Sequence, residues 1–221
     1  AIHASLKYGV FVLTGGPGTG KTTVIKGILA VLEKAGCRIL LAAPTGRAAR
    51  RLADSSGHPA VTVHRLLEYT PNGGGFNFGK NDGDPLDADA IIIDEASMLD
   101  ITLTYHLLKA VQGGCRLIFV GDVDQLPSVG AGSVLKDIIR SQKMPVVRLE
   151  NVFRQAEISP IVRNAHRINR GQMPEWEPSS DFTFVEIENE FDAAEYVANI
   201  YARLTQQSDW QSVQVLSPMH K

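Results

Sequence analysis

The sequence predicts an α/β protein built on a doubly wound parallel sheet. Two observations carry that expectation: short apolar runs that recur between polar or glycine-rich turns, and amphipathic stretches that fall between those runs. The runs are VFVLT (10–14), ILLAA (39–43), AIIID (90–94), LIFVGD (117–122) and VVRL (146–149). Their hydrophobicity is near-continuous rather than alternating, which suits strands covered on both faces. In such folds crossovers are right-handed and ligands gather at the carboxyl edge of the sheet, so the segments just past each run hold the candidate chemistry.

The helices follow from spacing. Val24, Ile28 and Leu32 share one side of a helix after the first run. Asp100 is a plausible N-cap for a helix with Leu103, Leu107, Leu108 and Val111 on its apolar face, stopped by Gly113 and Gly114. Val134, Leu135, Ile138 and Ile139 form another such face. Ser159-Pro160 reads as N-cap and first helical residue, with Ile161, Ala165 and Ile168 following and Gly171 ending the helix. A glycine-rich segment near 69–89 interrupts this order as an inserted loop or small hairpin, with Phe76 and Phe78 on one face if extended. Past Asp181, FTFVEI, a helix with Val197, Ile200 and Leu204, and VQVLS predict a further strand-helix-strand unit.

Composition is that of a globular protein, with 44% hydrophobic and 21% charged residues over 221 positions. That length predicts one complete domain over 1–150, with 151–221 carrying connecting helices and the truncated start of a second. The chain begins at Ala1 without methionine and stops straight after a strand-like run, so a fragment is expected. No apolar run nears the ~18 residues of a membrane span and no secretory segment opens the chain, which together predict a cytoplasmic location. Cys37 and Cys115 stand far apart, outside any C-x-x-C pair, and read as small core residues rather than zinc ligands or a disulfide. A net charge of -2 argues against coating nucleic acid by overall positive charge, so any such contact must be local. Arg38, Arg47, Arg50 and Arg51 occur without an intervening acid; Arg50 and Arg51 read as an exposed helix face.

The strongest motif is GGPGTGKTT, residues 15–23. Gly15, Gly20, Lys21 and Thr22 satisfy G-x-x-x-x-G-K-[ST] between a predicted strand and a predicted helix. Phosphate oxygens must meet several backbone N–H groups at once, and Cβ atoms would block that approach. The helix then starts beneath the anion with its unpaired N–H groups facing it. Gly15, Gly16, Pro17, Gly18, Thr19, Gly20, Lys21, Thr22 and Thr23 thus form a candidate cradle for a nucleoside triphosphate, ATP in the first instance. Lys21 would reach the β- and γ-phosphates and the Thr22 hydroxyl would ligate Mg²⁺.

Three further positions fit that chemistry. Asp94 ends a buried run, where it could hold Mg²⁺, and Glu95 follows, where it could orient and deprotonate water. Gln125 lies on the loop after the fourth run, with Asp122 and Asp124, and its amide could sense a γ-phosphate. Arg154 follows the fifth run and could stabilise charge on the transferred phosphoryl group.

Six segments in order, LTGGPGTGKTT, LAAPTGRAARRL, TVHRLL, IIIDEASMLD, FVGDVDQLPSVGAG and LENVFRQ, resemble the motifs of the RecD family of superfamily 1 DNA helicases. That family includes the alpha subunit of exodeoxyribonuclease V and longer stand-alone relatives, and the likeness extends through SPIVRNAHRINRG to VQVLSPMHK. The resemblance implies RecA-like P-loop ATPase domains that translocate 5′-to-3′ on single-stranded DNA and unwind duplex junctions. It implies phosphate contacts for Gly18, Gly20 and Lys21, Mg²⁺ contacts for Thr22 and Asp94, a catalytic base in Glu95, and γ-phosphate sensors in Gln125 and Arg154. Pro44, Thr45, Gly46 and Arg47, with Thr62, Val63, His64 and Arg65, fall in segments that touch DNA in the family. For His64 a structural role stands beside DNA contact. The glycine-rich insertion resembles the hairpin at the strand-separation point, where an aromatic tip could stack on the last base pair. The family's second RecA-like domain continues well beyond Lys221, so the chain alone is expected to bind ATP and Mg²⁺ but to hydrolyse slowly and unwind poorly. Helicase-nuclease partner subunits are a further implication.

Two rivals share parts of the pattern. A P-loop phosphotransferase would use the same loop to phosphorylate an acceptor, and a non-catalytic nucleotide-binding subunit would use it as a switch. The joint presence of Lys21, Asp94 and Glu95 disfavours the second, and DNA-stimulated phosphate release would separate the first from a motor.

Overall fold

The computed structural model describes residues 1–72, 75–150, 159–176 and 181–217, with only the backbone of 72, 75 and 76. The elements in order are α1 (Ile2–Lys7), β1 (Val10–Gly15), α2 (Lys21–Lys34), β2 (Ile39–Ala43), α3 (Gly46–Ser56), β3 (Ala60–Thr62), α4 (Val63–Leu66), β4 (Tyr69–Asn72), β5 (Gly75–Phe78) and β6 (Ala90–Ile93). There follow a 3-10 turn (Ala96–Met98), α5 (Ile101–Ala110), β7 (Arg116–Gly121), α6 (Val134–Ser141), β8 (Val146–Leu149), α7 (Pro160–Asn169) and α8 (Glu190–Gln207). Residues Ala1–Met173 form one compact unit and Pro174–Lys221 another.

Six strands make one parallel sheet in the order β3-β2-β6-β7-β1-β8. The five predicted runs are all in it. Alternate residues of each strand feed two cores, as the pleat requires. On one face Val12, Ala42, Ile91, Ile93, Leu117 and Phe119 pack with residues of α4, α5 and α6. On the other Phe11, Leu13, Leu41, Ile92, Ile118 and Val120 pack with Ala4 of α1, with α2 and with Leu52 of α3. Burial of α2 falls on Ile25, Ile28, Leu29 and Leu32, so Val24 sits at the margin of the predicted stripe. Each such side chain contributes ~1.5–3 kcal/mol against exposure.

The helix ends obey their sequence signals. The Asp100 carboxylate accepts from the Leu103 N–H at 2.7 Å and caps α5, whose Leu103 and Leu107 are buried while Leu108 is exposed. Ser159 and Pro160 open α7, and Gly171 has φ 71. Cys37 and Cys115 are half-buried against the two cores.

Three features depart from expectation. β3 is an additional strand, paired with β2 through Ala43 and Thr62. The insertion is an antiparallel hairpin, β4 with β5, but Phe78 is no solvent-facing tip: it is buried at the hairpin's base against Tyr69 and His106, at ring distances of 5.2 and 4.2 Å. The side chain of Phe76 lies outside the described residues. In the second unit α8 forms, yet 182–187 and 213–217 are not strands. A strand is completed by a regular ladder with a neighbouring strand, and among the described residues neither segment belongs to one. Among the described residues no helix is long and apolar enough to cross a membrane.

Candidate nucleotide-binding site

The loop between β1 and α2 uses its glycines in two ways. Gly18 and Gly20 have φ of 72 and 84, in the left-handed region where an L side chain costs ~1–2 kcal/mol. Gly15 and Gly16 instead make room. A Cβ on Gly15 would lie 2.6 Å from Thr19 Oγ1 and 3.0 Å from the Leu149 carbonyl oxygen, and one on Gly16 would lie 3.2 Å from His166 Cε1. Thr19 is buried and its hydroxyl donates to the Gly16 carbonyl at 2.8 Å. The Lys21 ammonium donates to the carbonyls of Gly15 at 2.6 Å and Gly16 at 3.1 Å, which folds it back over the loop.

Asp94 leaves β6 with its N–H donated to the Ala42 carbonyl at 2.9 Å. Burial pushes its carboxyl above the usual range, opposed by the Glu95 N–H and by the charges of Lys21 and Arg51. Glu95 takes a left-handed backbone, φ 51 and ψ 40, which turns its side chain towards the same opening. Burial raises its carboxyl too, helped by Asp94 and Asp122 and opposed by Lys21 and Arg51. Its Oε2 is buried with no hydrogen-bond partner among the described residues. These groups surround a cavity of about 410 Å³ lined by residues 16–23 with Arg51, Ser55, Asp94, Glu95 and Gln125. Such a volume is in the range of small-molecule sites. Gln125 stands on the loop after β7, its N–H donated to the Asp122 carbonyl at 3.3 Å, while buried Asp122 accepts the Asp124 N–H at 3.0 Å. Arg154 lies outside the described residues.

The other candidate segments meet at the same edge of the sheet. Pro44, Thr45, Gly46 and Arg47 follow β2, and Thr62, Val63, His64 and Arg65 span the end of neighbouring β3 and α4. Both threonines are N-caps: Thr45 Oγ1 accepts from Ala48 N–H at 3.2 Å and Thr62 Oγ1 from Arg65 N–H at 3.1 Å. Each hydroxyl keeps its proton to donate. Arg47, His64 and Arg65 are exposed, but Val63 is fully buried in the core. The Val63 side chain therefore has a packing role, which corrects its place among the DNA-facing residues except through its backbone. His64 lays its ring against Tyr69 and Phe78 at 5.5 and 6.4 Å.

Sequence reasoning missed Arg51, Ser55 and His166. Arg51 is solvent-exposed as expected, yet it lines the cavity, while Arg50 does not. His166 of α7 backs Gly16. Only the strand order puts α3 beside the phosphate loop, and no local pattern carries that information.

Fold and cavity together define a P-loop nucleotide-binding protein of RecA-like architecture. Residues 1–131 match the family model described as AAA domain, and the chain belongs to that family. Within it the chain is a homologue of the RecD-type helicases, as the ordered motifs suggested. It is 43% identical over 210 residues to the ATP-dependent RecD2 DNA helicase of Deinococcus radiodurans, covering 95% of this chain and 28% of that one. It is 44% identical over 162 residues to the RecBCD enzyme subunit RecD of Mycobacterium tuberculosis, covering 63% of this chain and 28% of that one. The chain thus spans 28% of the length of these curated relatives. Among solved structures it is similar to unliganded Pif1 from Bacteroides sp, with a TM-score of 0.50 and 25% identity over 78% of this chain and 45% of that one. The Pif1 helicase of Candida albicans shares the fold, with a TM-score of 0.59 and 19% identity over 91% of this chain and 52% of that one. Nucleotide use follows from this family membership.

Proposed function

We propose that the chain is the motor segment of an ATP-dependent DNA helicase, which hydrolyses ATP to move 5′-to-3′ along single-stranded DNA and open duplex junctions. One observation carries this reading: Lys21 and the Asp94–Glu95 pair border a single cavity at the edge of the sheet where the two candidate DNA segments also end. The glycine loop and Lys21 hold the phosphates. The Glu95 carboxylate, which lines the cavity, takes a proton from the water that attacks the terminal phosphorus while the bond to the ADP oxygen breaks. Gln125, and Arg154 in the same role, report whether the terminal phosphate is present. The relatives' printed names, a DNA helicase and a RecBCD subunit, support the motor reading over a phosphotransferase.

Mg²⁺ fits the donors present. The Thr22 hydroxyl and Asp94 carboxylate are hard oxygen ligands, and Mg²⁺ is commonly held by one or two carboxylates plus phosphate and water. A cation there would also relieve the burial that pushes Asp94 upward. When bound it would neutralise phosphate charge. Thr45, Gly46 and Arg47 with Thr62 and Arg65 present backbone-directed contacts to a DNA strand, as a motor indifferent to sequence requires.

We assign 1–150 to the RecA-like ATPase domain and 151–221 to the connection into a second one, so the segment alone turns over slowly. Helicase-nuclease subunits are candidate partners of the whole protein. The test is ATP turnover by the full-length protein with and without single-stranded DNA, beside Lys21→Ala. DNA should stimulate the wild type and the variant should lose turnover; a rate indifferent to both overturns the motor reading.

A further inference from the structure

We propose that Arg51 binds the terminal phosphate of the nucleotide and, through α3, transmits its presence to the sheet edge where the candidate DNA segments end. This deepens the nucleotide-site reading above and rests on it.

The placement of Arg51 singles it out. It lines the 410 Å³ cavity and also an adjoining cleft of about 210 Å³, where it meets Thr45, Arg47 and Met98. Asp94, Glu95 and Gln125 border both spaces, so Arg51 stands at the end of the cavity where hydrolysis would occur. Its charge acts on both carboxylates, as does that of Lys21. Among the described residues its guanidinium makes no ion pair or hydrogen bond, so its donors are available to a ligand.

Charge makes the need explicit. Asp94 and Glu95 together cancel two positive charges, and among the described lining residues those are Lys21 and Arg51. A triphosphate with one divalent cation adds about two negative charges to that neutral site. Removing Arg51 would leave Lys21 as the one cationic side chain among the described lining residues, beside the divalent cation, to oppose the carboxylates and the terminal phosphate. An arginine is also the better group for the task, since its planar fork can give two parallel hydrogen bonds to one phosphate.

The mechanical link is α3 itself. Arg51 lies five residues after Gly46, the first residue of a helix capped by Thr45. At 1.5 Å per residue the two ends of that stretch are ~7.5 Å apart along one rigid rod. Ala49 and Leu52, buried beneath it, seat the helix on the sheet. A terminal phosphate that draws Arg51 inward pulls on α3 and so biases its Thr45 end, and release of phosphate removes that bias. Arg50, which shares a more open cleft with Arg51 but lines neither the cavity nor the adjoining cleft, is a matched control.

The experiment compares affinities of the full-length protein for a non-hydrolysable ATP analogue and for ADP, in wild type, Arg51→Ala, Arg51→Lys, Arg50→Ala and Lys21→Ala. Loss of one charge-assisted contact predicts a ten- to hundredfold weaker analogue for Arg51→Ala, with ADP changed less than about threefold. Arg51→Lys should fall between, and Arg50→Ala should match wild type. In wild type the analogue should alter the affinity for single-stranded DNA; in Arg51→Ala that change should vanish while nucleotide-free DNA affinity stays. Equal weakening of both nucleotides, or none, overturns the role of Arg51. A wild type that binds neither nucleotide overturns the nucleotide site as well, and Lys21→Ala separates the two failures by weakening both nucleotides only if the site is real.

Discussion

Replacing Glu95 by Gln should make the nucleotide-free protein more stable while abolishing its turnover. The side chain keeps its size and its left-handed backbone, so any strain at φ 51 is common to both proteins and cancels. What changes is a half-buried carboxylate whose Oε2 has no hydrogen-bond partner among the described residues and whose pKa is raised above 4.5, first by burial and then by Asp94. The amide leaves an unpartnered polar atom at the same place, so the gain is only the removal of a charge that is partly desolvated and repelled by Asp94, on the order of 1 kcal/mol. About 1 kcal/mol corresponds to ~2–4 °C in Tm for a protein of this size. The sign of the pH dependence follows from the raised pKa. The folded state holds its proton more tightly than the unfolded one, so the wild type loses stability as pH rises from about 4.5 through the raised value. The Tm gap should therefore be present at pH 7–8 and close near pH 4. Turnover should fall by ~10²–10⁴-fold with the general base gone, while affinity for the ATP analogue holds or improves. Calorimetry across pH and phosphate-release kinetics measure the two halves. A variant that melts below wild type at pH 7.5, or hydrolyses within tenfold of it, refutes the assignment of Glu95.

Gly16→Ala should weaken nucleotide binding and destabilise the fold by ~1–3 kcal/mol, because the new Cβ would lie 3.2 Å from His166 Cε1; adding His166→Ala should restore much of the stability, read by denaturant melts. Asp100→Ala removes the acceptor 2.7 Å from the Leu103 N–H and should cost ~0.5–2 kcal/mol without altering nucleotide affinity. His58 has its pKa raised above 6.5, chiefly by the hydrogen bond to Glu33 at 2.6 Å. Its stabilisation is full below 6.5 and lost as pH rises through the raised value; with side chains 34% and 48% exposed, the effect should be small and salt-sensitive. An NMR titration of Glu33→Gln should show the His58 pKa falling back towards 6.5.

Much of this architecture could be read in the sequence because its signals are local. Five strands announce themselves as apolar runs flanked by turns, and the phosphate loop, the Asp100 cap and Ser159-Pro160 are short patterns with fixed geometry. β3 escapes because Ala60–Thr62 is three residues long and holds its place through pairing with β2, not through its own composition. Phe78 was misplaced since alternation tells which residues share a hairpin face but not which face meets His106 of α5. The expected strands at 182–187 and 213–217 show the converse: apolar content proposes a strand, and only a partner completes it. Arg51 and His166 belong to the site through contacts across 30 to 150 positions of chain, which spacing cannot express.

The order of the strands acts as a ruler for the chemistry. β7 is wedged between β1, which carries the lysine loop, and β6, which carries the carboxylates, so two inter-strand steps of ~5 Å hold the opposite charges apart. Were those strands adjacent, ammonium and carboxylate could snap together and seal the opening. With a spacer between them, Lys21 settles for two carbonyls of its own loop, and the attraction across the gap stays unspent until a guest wide enough to bridge it arrives.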